Sequence, residues 1–490
     1  MNQTIILSCG IFLLFLLLLP TNPDSMFNDP DTWWHVAAGD VIRQSGTIPT
    51  YDPWSFSGGS TAWINVAWSW DVAASYFFER ASWFGLIAIN SVTIALVMAL
   101  VFALCFIHSR HGIASFITVL FIAAGAFEPH IRPFEISYLL IALCYLLLRQ
   151  INSGRLSPAW LIYFPPIMIL WVNIHGLYII ALFLLGVYGL ENLQRKNMRL
   201  FGYLFLCGVA SLTACLLNPF GIDALLLIVT TLSGSANSII NEWNGLHFDK
   251  LSIAHVYWLL FLVFIVKYYR SLPLSDKLMG IILCVMATLS IRHIPVFALL
   301  TAPLMTIGIR DLLVRKTQEP PTIPAFAQTI ADYSLRIVTR RATAVLAVLL
   351  CLGASVALTT PAAAKWYDAQ DYVPEPDLSK EVAFLKQHYP KRRLLNTYGL
   401  GGPLIFYGRG SVPVWIDGRV ETAYPDQVVK DFAAYFHAKE GWESILTKYG
   451  INGAILDKRD TLAIDRFKYR QGWKQVFESK NTVILMKEKP

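Results

Sequence analysis

The stretch Asn28-Asp29-Pro30-Asp31-Thr32-Trp33-Trp34-His35 follows directly on the first hydrophobic segment of the chain. Tryptophan is enriched at the membrane–water interface, which accounts for Trp33 and Trp34. It does not account for Asp29 and Asp31, because carboxylates at a membrane surface attract a metal, a proton or a cationic partner. The stretch therefore predicts a functional loop where the chain leaves the bilayer.

The composition is that of a polytopic membrane protein. Of 490 residues, 55% are hydrophobic and 15% are charged, whereas about a quarter are charged in a soluble domain. The net charge of +7 does not indicate a nucleic-acid partner, because basic residues of membrane proteins collect in cytoplasmic loops. The seven cysteines include no C-x-x-C pair, so neither a zinc site nor a disulfide framework is expected.

Hydropathy predicts about eleven transmembrane spans, the first of them retained rather than cleaved. Loops rich in Arg and Lys alternate with loops poor in them, so the positive-inside rule predicts a cytoplasmic N-terminus and an outward-facing C-terminus. This topology suits the inner membrane of a bacterium. The predicted spans are Thr4–Leu19, Trp83–Ile107, Ile113–Phe127, Phe134–Leu148, Trp160–Val172, Leu177–Leu190, Leu200–Leu217, Ile253–Val266, Leu278–Ile291, Ile294–Ile309 and Ala342–Leu358.

The chain divides into a transmembrane domain, residues 1–359, and a charged C-terminal tail, residues 360–490. A large first loop, residues 21–82, faces outward and contains two predicted surface helices, Val36–Arg43 and Val66–Phe78. The tail is expected to form a periplasmic α/β domain. Its predicted helices are Leu378–His388, Gln427–Phe436 and Gly441–Tyr449, and its predicted strands are Arg393–Leu395, Val412–Ile416, Gly453–Leu456, Lys474–Glu478 and Thr482–Met486.

The outward loops carry nearly all of the unusual polar residues. They are the cluster from Glu128 to Pro133, which contains Arg132, and the pairs Asn173 and His175, Glu242 and Trp243, and Arg292 and His293. Polar residues at the ends of apolar helices are costly unless they line a wet cavity. We therefore expect one outward-facing chamber, although helix capping or the interfacial belt explains any single cluster about equally well. The Gly-rich turns 396–402 and 417–419 fit no nucleotide-binding fingerprint and are interpreted as structural.

The arrangement resembles the GT-C class of membrane glycosyltransferases. Asp31-Thr32-Trp33-Trp34-His35 is similar to the Asp-x-aromatic-aromatic stretch in the first loop of oligosaccharyltransferase catalytic subunits, and Asp52-Pro53-Trp54 also resembles that loop. The run from Asp29 to Trp70, with Trp415-Ile416-Asp417-Gly418-Arg419 in the tail, resembles uncharacterised bacterial members of the class. The tail lacks the Trp-Trp-Asp-Tyr-Gly motif of oligosaccharyltransferase catalytic subunits. This absence argues against transfer to a protein Asn sequon.

This resemblance implies transfer of a sugar from a polyprenyl-phosphate-linked donor to an extracytoplasmic glycan, lipid or protein. It makes Asp31 the candidate general base, joined by Asp29 and Glu128 as catalytic carboxylates. Asp31 and Asp29 could share a divalent cation, Mg²⁺ or Mn²⁺, because a hard ion takes oxygen ligands. The candidate substrate-binding residues are Arg132, His175, Asn173, Arg292, His293, His35, Trp34, Glu242 and Trp243. Of these, Arg132, Arg292 and His293 are the candidates for binding the donor phosphate.

Three alternatives belong to other classes. A transporter or flippase of lipid-linked sugars would place charges at the bilayer midplane and show internal repeats, and neither is evident. A polymerase or ligase of the O-antigen type would favour arginine-rich outward loops, whereas the first loop here is acidic and aromatic. A non-catalytic envelope scaffold would need none of the carboxylates, so insensitivity to substitution of Asp31 would favour it.

Overall fold

The computed structural model describes residues 2–59, 61–234, 239–316 and 372–488. The predicted span Ala342–Leu358 lies outside the described residues. The membrane part contains α1 Asn2–Leu18, α2 Asp31–Ser45, α3 Trp68–Ser109, α4 Gly112–Gly125, α5 Phe134–Asn152, α6 Phe164–Val172, α7 Ile179–Gln194, α8 Met198–Ala214, α9 Asp223–Ser233, α10 Ile253–Tyr268, α11 Leu274–Leu289 and α12 Ile294–Lys316.

Four helical segments within the described ranges are long and apolar enough to cross a membrane. They are Trp68–Ser109, Phe134–Asn152, Gly176–Gln194 and Ile291–Val314. Shorter apolar helices accompany them. The chain is therefore an integral membrane protein, while eleven spans and their orientation stay predictions.

Helix α3 joins two elements that the sequence predicts separately, Val66–Phe78 and Trp83–Ile107. It is interrupted by non-helical backbone at Ala81 and Ser82, where the φ of Ser82 is +51°. Gly85 lies just beyond this kink, and a side chain there would meet the carbonyl oxygen of Phe77 at 2.4 Å. The part of α3 before the kink packs beside α2, where a side chain on Gly39 would meet the carbonyl oxygen of Asp71 at 1.9 Å.

The tail contains five described helices and a small sheet. The helices are α13 Ser379–His388, α14 Gly401–Gly408, α15 Asp426–Phe436, α16 Glu443–Lys448 and α17 Thr461–Lys468. The strands β1 Leu394–Asn396, β2 Gly453–Asp457, β3 Trp473–Glu478 and β4 Thr482–Lys487 lie in the order β1-β2-β4-β3. β1 pairs with β2 in parallel, and the other two pairs are antiparallel.

The predicted strand Val412–Ile416 is wrong, because this segment pairs with the first loop instead of the tail sheet. The N–H of Phe56 donates to the carbonyl of Val414 at 3.1 Å, and the N–H of Val414 donates to the carbonyl of Trp54 at 3.1 Å. Three helices were also not predicted. They are α9, which lies in a region predicted as a loop, and α14 and α17 in the tail.

The first loop and the tail share one hydrophobic core. Trp34, Trp54 and Trp63 of the loop belong to the same buried cluster as the tail strands and helices. A separate core joins the membrane helices, with buried side chains from α1, α3, α5, α7 and α12. The tail therefore sits on the first loop, which in turn lies over the membrane helices.

Candidate active site

The two carboxylates of the first loop are buried at the start of α2. Asp29 and Asp31 are 8% and 5% exposed. The Oδ1 atom of Asp29 accepts a hydrogen bond from the N–H of Asp31 at 2.9 Å, which satisfies one of the free donors of the first helical turn. Asp31, Trp34 and His35 are spaced i, i+3 and i+4, so they share one face of α2.

Arg132 bridges these two carboxylates. Its Nη1 lies 2.6 Å from Oδ2 of Asp29, and its Nη2 lies 2.7 Å from Oδ2 of Asp31. The loop that carries it is fixed to the same segment, because the hydroxyl of Thr32 donates to the carbonyl of Ile131 at 3.0 Å. Arg132 was predicted as a phosphate ligand, and in the structure it holds the candidate catalytic carboxylates.

Burial and neighbouring charge separate the two acids. Burial raises the pKa of Asp31 to about 6; Arg132 opposes this rise and Asp29 adds to it. Burial alone would raise the pKa of Asp29, but Arg132, the N–H of Asp31 and His130 together hold it below its usual value. Asp29 is thus ionised at neutral pH, whereas Asp31 gains a proton as the pH falls toward about 6.

A turn of the tail closes over Asp31. A Cβ atom on Gly418 would lie 1.6 Å from Oδ1 of Asp31, and one on Gly402 would lie 2.1 Å from the carbonyl oxygen of Pro30. Only glycine permits backbone to approach this closely. Burial and the charges of Asp31 and Asp417 raise the pKa of the nearby Tyr398 hydroxyl. The turn at 417–419, interpreted as structural from its sequence, therefore forms a wall of the site.

Arg419 anchors this turn to the first loop. Its guanidinium contacts Asp417 at 2.6 Å and Asp52 of the loop at 2.8 Å, and all three side chains are at most 1% exposed. Its Cζ atom lies 4.8 Å from the ring centre of Trp54 and 4.9 Å from that of Trp63. Burial opposes ionisation of Asp52, but Arg419 together with hydrogen bonds from Ser55 and from the N–H of Trp54 outweighs it, so the pKa of Asp52 is lowered.

An open cavity of about 500 Å³ lies beside Asp29. Glu128 lines it with an 81% exposed side chain that pairs with His130 at 3.5 Å. Glu242 also lines it and lies 3.5 Å from Nη1 of Arg132. The remaining lining residues are Ser25, Asn28, Pro30, Phe127, Pro129 and His130. The cavity lies on the side of the carboxylate pair that carries Asp29, and Asp31 is not among its lining residues.

The structure brings Glu242, Trp243, Arg292 and His293 together, as expected. The Arg292 guanidinium lies over the Trp243 ring at 4.9 Å and 3.9 Å from Glu242. The ring centres of Trp243 and His293 are 6.4 Å apart. Glu421 of the tail, which the sequence did not indicate, accepts the indole N–H of Trp243 at 3.0 Å and lies 3.4 Å from Arg292.

His35 has a buried partner that sequence reasoning missed. Its Nδ1 atom lies 2.5 Å from Oδ1 of Asp71, and the amide of Asn65 donates to the other oxygen of Asp71 at 2.7 Å. The ring of His35 stacks on Trp34 with centres 3.7 Å apart. An Asp–His contact of this kind fixes the orientation of the imidazole. Nothing in the sequence around Asp71 distinguishes it from a helix-start carboxylate.

Asn173 and His175 lie between helices and are not among the described residues that line the cavity. The side-chain amide of Asn173 donates to the carbonyls of Ile169 and Leu217 at 2.8 and 3.1 Å. His175 contacts the hydroxyl of Ser137 at 3.1 Å. Their hydrogen bonds connect membrane helices, which is the capping role that the sequence left open.

The carboxylate pair does not fit the expected divalent cation. Within the described ranges, no group of three or more His, Cys, Asp or Glu side chains is arranged to hold a metal. Arg132 stands between Asp29 and Asp31, where a shared ion would have to bind.

No protein-family model matches the chain, and no curated protein matches its sequence. Solved structures match its fold. The oligosaccharyltransferase of Archaeoglobus fulgidus, tethered to an acceptor peptide with the NVT sequon, aligns over 93% of this chain and 69% of its own, with a TM-score of 0.53 and 10% identity. The archaeal oligosaccharyltransferase AglB of the same organism, in complex with an inhibitory peptide and a dolichol-phosphate, aligns with a TM-score of 0.50, 11% identity and the same coverage.

ArnT from Cupriavidus metallidurans, in its apo state, aligns over 99% of this chain and 98% of its own, with a TM-score of 0.50 and 14% identity. These neighbours are GT-C glycosyltransferases. The chain therefore has the GT-C fold, and at these identities the likeness concerns the fold alone.

Proposed function

We propose that this chain, which has the GT-C fold, is a glycosyltransferase that moves a sugar from a polyprenyl-phosphate-linked donor to an extracytoplasmic acceptor. The observation that carries the proposal is the buried pair Asp29 and Asp31, bridged by Arg132 next to an open cavity. A scaffold has no use for a pair of buried carboxylates, whose desolvation costs stability. Perturbed acids beside a cavity are typical of catalytic sites.

Asp31 acts as the general base in this proposal. A hydroxyl oxygen of the acceptor attacks the anomeric carbon of the sugar, and its proton moves to the Asp31 carboxylate. The bond between the anomeric carbon and the phosphate oxygen breaks, and its electron pair stays on the lipid phosphate. A pKa of about 6 suits a base that works near neutral pH. Arg132 and Gly418 hold the carboxylate in one orientation.

The donor phosphate is assigned to the neighbouring cluster around Arg292. Arg292 is 31% exposed, and a planar guanidinium matches phosphate oxygens. Glu242 links this cluster to the cavity and to Arg132. The dolichol-phosphate in the AglB complex supports a lipid phosphate as the carrier. The acceptor is a glycan, a lipid or a protein.

The proposed location is the bacterial inner membrane, with the first loop and the tail in the periplasm. The predicted alternation of basic loops supports this orientation. The carboxylates, the cavity and the tail turn all lie together at one end of the fold, as a site that meets an extracytoplasmic acceptor requires.

Mass spectrometry of surface glycans and glycoproteins in the native host tests the proposal. Four strains are compared: one lacks the gene, and the others carry the wild type, Asp31→Asn or Asp249→Asn at matched protein level. Asp249 is an exposed aspartate and serves as the control for the substitution itself. We expect one sugar to vanish in the deletion, to return with the wild type and Asp249→Asn, and to stay missing with Asp31→Asn.

The missing mass would identify the sugar and the molecule that carried it. If Asp31→Asn restored every glycan, Asp31 would not be catalytic, and the flippase or scaffold alternatives would be preferred. If the missing product instead accumulated as a lipid-linked sugar on the cytoplasmic side only, transport and not transfer would be the step that the chain performs.

A further inference from the structure

The guanidinium of Arg132 occupies the position between Asp29 and Asp31 that a shared divalent cation would need. We propose that Arg132 replaces a divalent cation in this site, so that the carboxylate pair binds neither Mg²⁺ nor Mn²⁺. The added consequence, that sugar transfer proceeds without a divalent ion, rests on the proposed function.

Three of the four carboxylate oxygens have a hydrogen-bond or ion-pair partner, and the fourth is covered by backbone. The Oδ1 atom of Asp29 accepts a hydrogen bond from the N–H of Asp31 at 2.9 Å, and its Oδ2 atom lies 2.6 Å from Nη1 of Arg132. Asp31 gives Oδ2 to Arg132 at 2.7 Å, and its Oδ1 lies against the backbone of Gly418. A hard cation requires about six or more oxygen ligands at roughly 2.0–2.6 Å. At most one oxygen of the pair is left unpaired, which is far too few for such a shell.

Charge also excludes a second cation here. Arg132 contacts two carboxylates, and Glu242 approaches it at 3.5 Å. A divalent ion beside this guanidinium would be repelled in a site that is largely shielded from water. One positive charge against Asp29 and Asp31 leaves a net negative charge on the pair. That charge keeps Asp31 able to accept a proton, whereas a divalent ion would neutralise both acids.

Arg132 is firmly placed. Its side chain is 19% exposed, and the backbone on its N-terminal side is tied to the first loop. The N–H of Ile131 donates to the carbonyl of Met26 at 3.2 Å, and the carbonyl of Ile131 accepts the hydroxyl of Thr32 at 3.0 Å. Moving the backbone that carries Arg132 would therefore break both of these hydrogen bonds.

A titration of the purified full chain with Mn²⁺ after EDTA treatment tests the proposal. The electron paramagnetic resonance signal of free Mn²⁺ is the readout, so the result does not depend on sugar transfer. We expect the wild type to bind no stoichiometric Mn²⁺. Binding of one ion per chain that disappears in Asp29→Asn would overturn the proposal. As a second readout, sugar transfer in EDTA-treated membranes that contain the wild-type protein should persist without added divalent ion.

Arg132→Ala is the complementary variant. It leaves two buried carboxylates without their cation, so we expect it to gain one Mn²⁺ per chain and to lose that ion in the double variant Arg132→Ala/Asp29→Asn. A folded Arg132→Ala that binds no Mn²⁺ would contradict the replacement. If Arg132→Ala does not fold, the wild-type titration decides alone. Failure of sugar transfer in the wild type would refute the proposed function. The Mn²⁺ titration would still decide whether Arg132 replaces a divalent cation, because it does not depend on transfer.

Discussion

At the scale of single residues, Asp31 and Asp29 differ in their protonation although they share Arg132. Asp29 is held ionised, whereas the pKa of Asp31 is about 6. A base must be deprotonated to accept the acceptor proton. The sign of the pH dependence follows: transfer is constant above about pH 7 and is lost as the pH falls through 6.

We therefore predict that sugar transfer in isolated membranes decreases about tenfold for each pH unit below roughly pH 6, because the ionised fraction of Asp31 falls in that proportion. Asp249→Asn, an exposed control, should give the same profile as the wild type. Membranes returned to pH 7.5 should regain full activity, which separates titration from unfolding. A rate that stayed level from pH 5 to pH 8 would exclude Asp31 as the base.

At the scale of elements, the tail turn 417–419 positions Asp31 by direct backbone contact. A methyl group on Gly418 would overlap Oδ1 of Asp31, whereas a methyl group on Gly399 would meet only Pro30 Cγ at 4.0 Å. Both glycines lie in the tail near the start of α2, and neither has a left-handed φ, so alanine is compatible with the backbone at both positions. They form a matched pair for testing the contact.

We predict that Gly418→Ala lowers sugar transfer about 100-fold, since a displacement of about 1 Å in a reacting group has an effect of that size. Gly399→Ala should keep near wild-type activity. Transfer is measured by mass spectrometry at matched protein level, and thermal unfolding of the purified variants checks that both fold. Equal activity of the two variants would mean that the turn does not position Asp31.

At the scale of the whole molecule, ion pairs of very different burial join the first loop to the tail. Arg419 and Asp52 are at most 1% exposed, whereas Arg409, which pairs with Asp40, is 43% exposed. Removing one partner of a buried pair leaves an uncompensated charge and costs about 3–5 kcal/mol. Removing a partner of an exposed pair costs at most about 1 kcal/mol.

Arg419→Met should therefore lower the midpoint of thermal unfolding well below that of the wild type, and Arg409→Met should leave it nearly unchanged. Unfolding is followed in detergent by the fluorescence of the tryptophans, which include Trp54 and Trp63 beside Arg419. Limited proteolysis should cut the tail of Arg419→Met first. Indistinguishable midpoints would show that this buried network does not hold the two parts together.

The sequence predicted the features that local chemistry determines. The apolar spans follow from hydropathy, and Asp29, Asp31 and Arg132 stand out because charged residues at span ends need partners. The four tail strands outside 412–416 follow mainly from short apolar runs, which are buried in β1, β2 and β4. The sequence predicted one chamber shared by all the outward-loop clusters; the structure groups Glu242 and Trp243 with Arg292, whereas Asn173 and His175 do not line the cavity.

Long-range contacts could not be predicted from one sequence. Gly418 meets Asp31, and Arg419 meets Asp52, across more than 360 residues. Val414 was predicted to extend the tail sheet, yet its hydrogen-bond partners are Trp54 and Phe56 of the first loop. Arg132 was expected to bind phosphate, whereas in the structure it binds two carboxylates. The sequence around an arginine is the same for either partner, so it could not distinguish them.

The core shared by the first loop and the tail has a consequence for how the protein is made. The loop leaves the ribosome early, but Trp54, Trp63 and Asp52 obtain their partners only from residues near 414–419. The site is therefore completed after more than four-fifths of the chain has been synthesised. Until then the loop tryptophans lack the tail residues that bury them. A fragment that ends before the tail therefore has no assembled candidate site, and its uncovered tryptophans are expected to make it prone to aggregation and proteolysis.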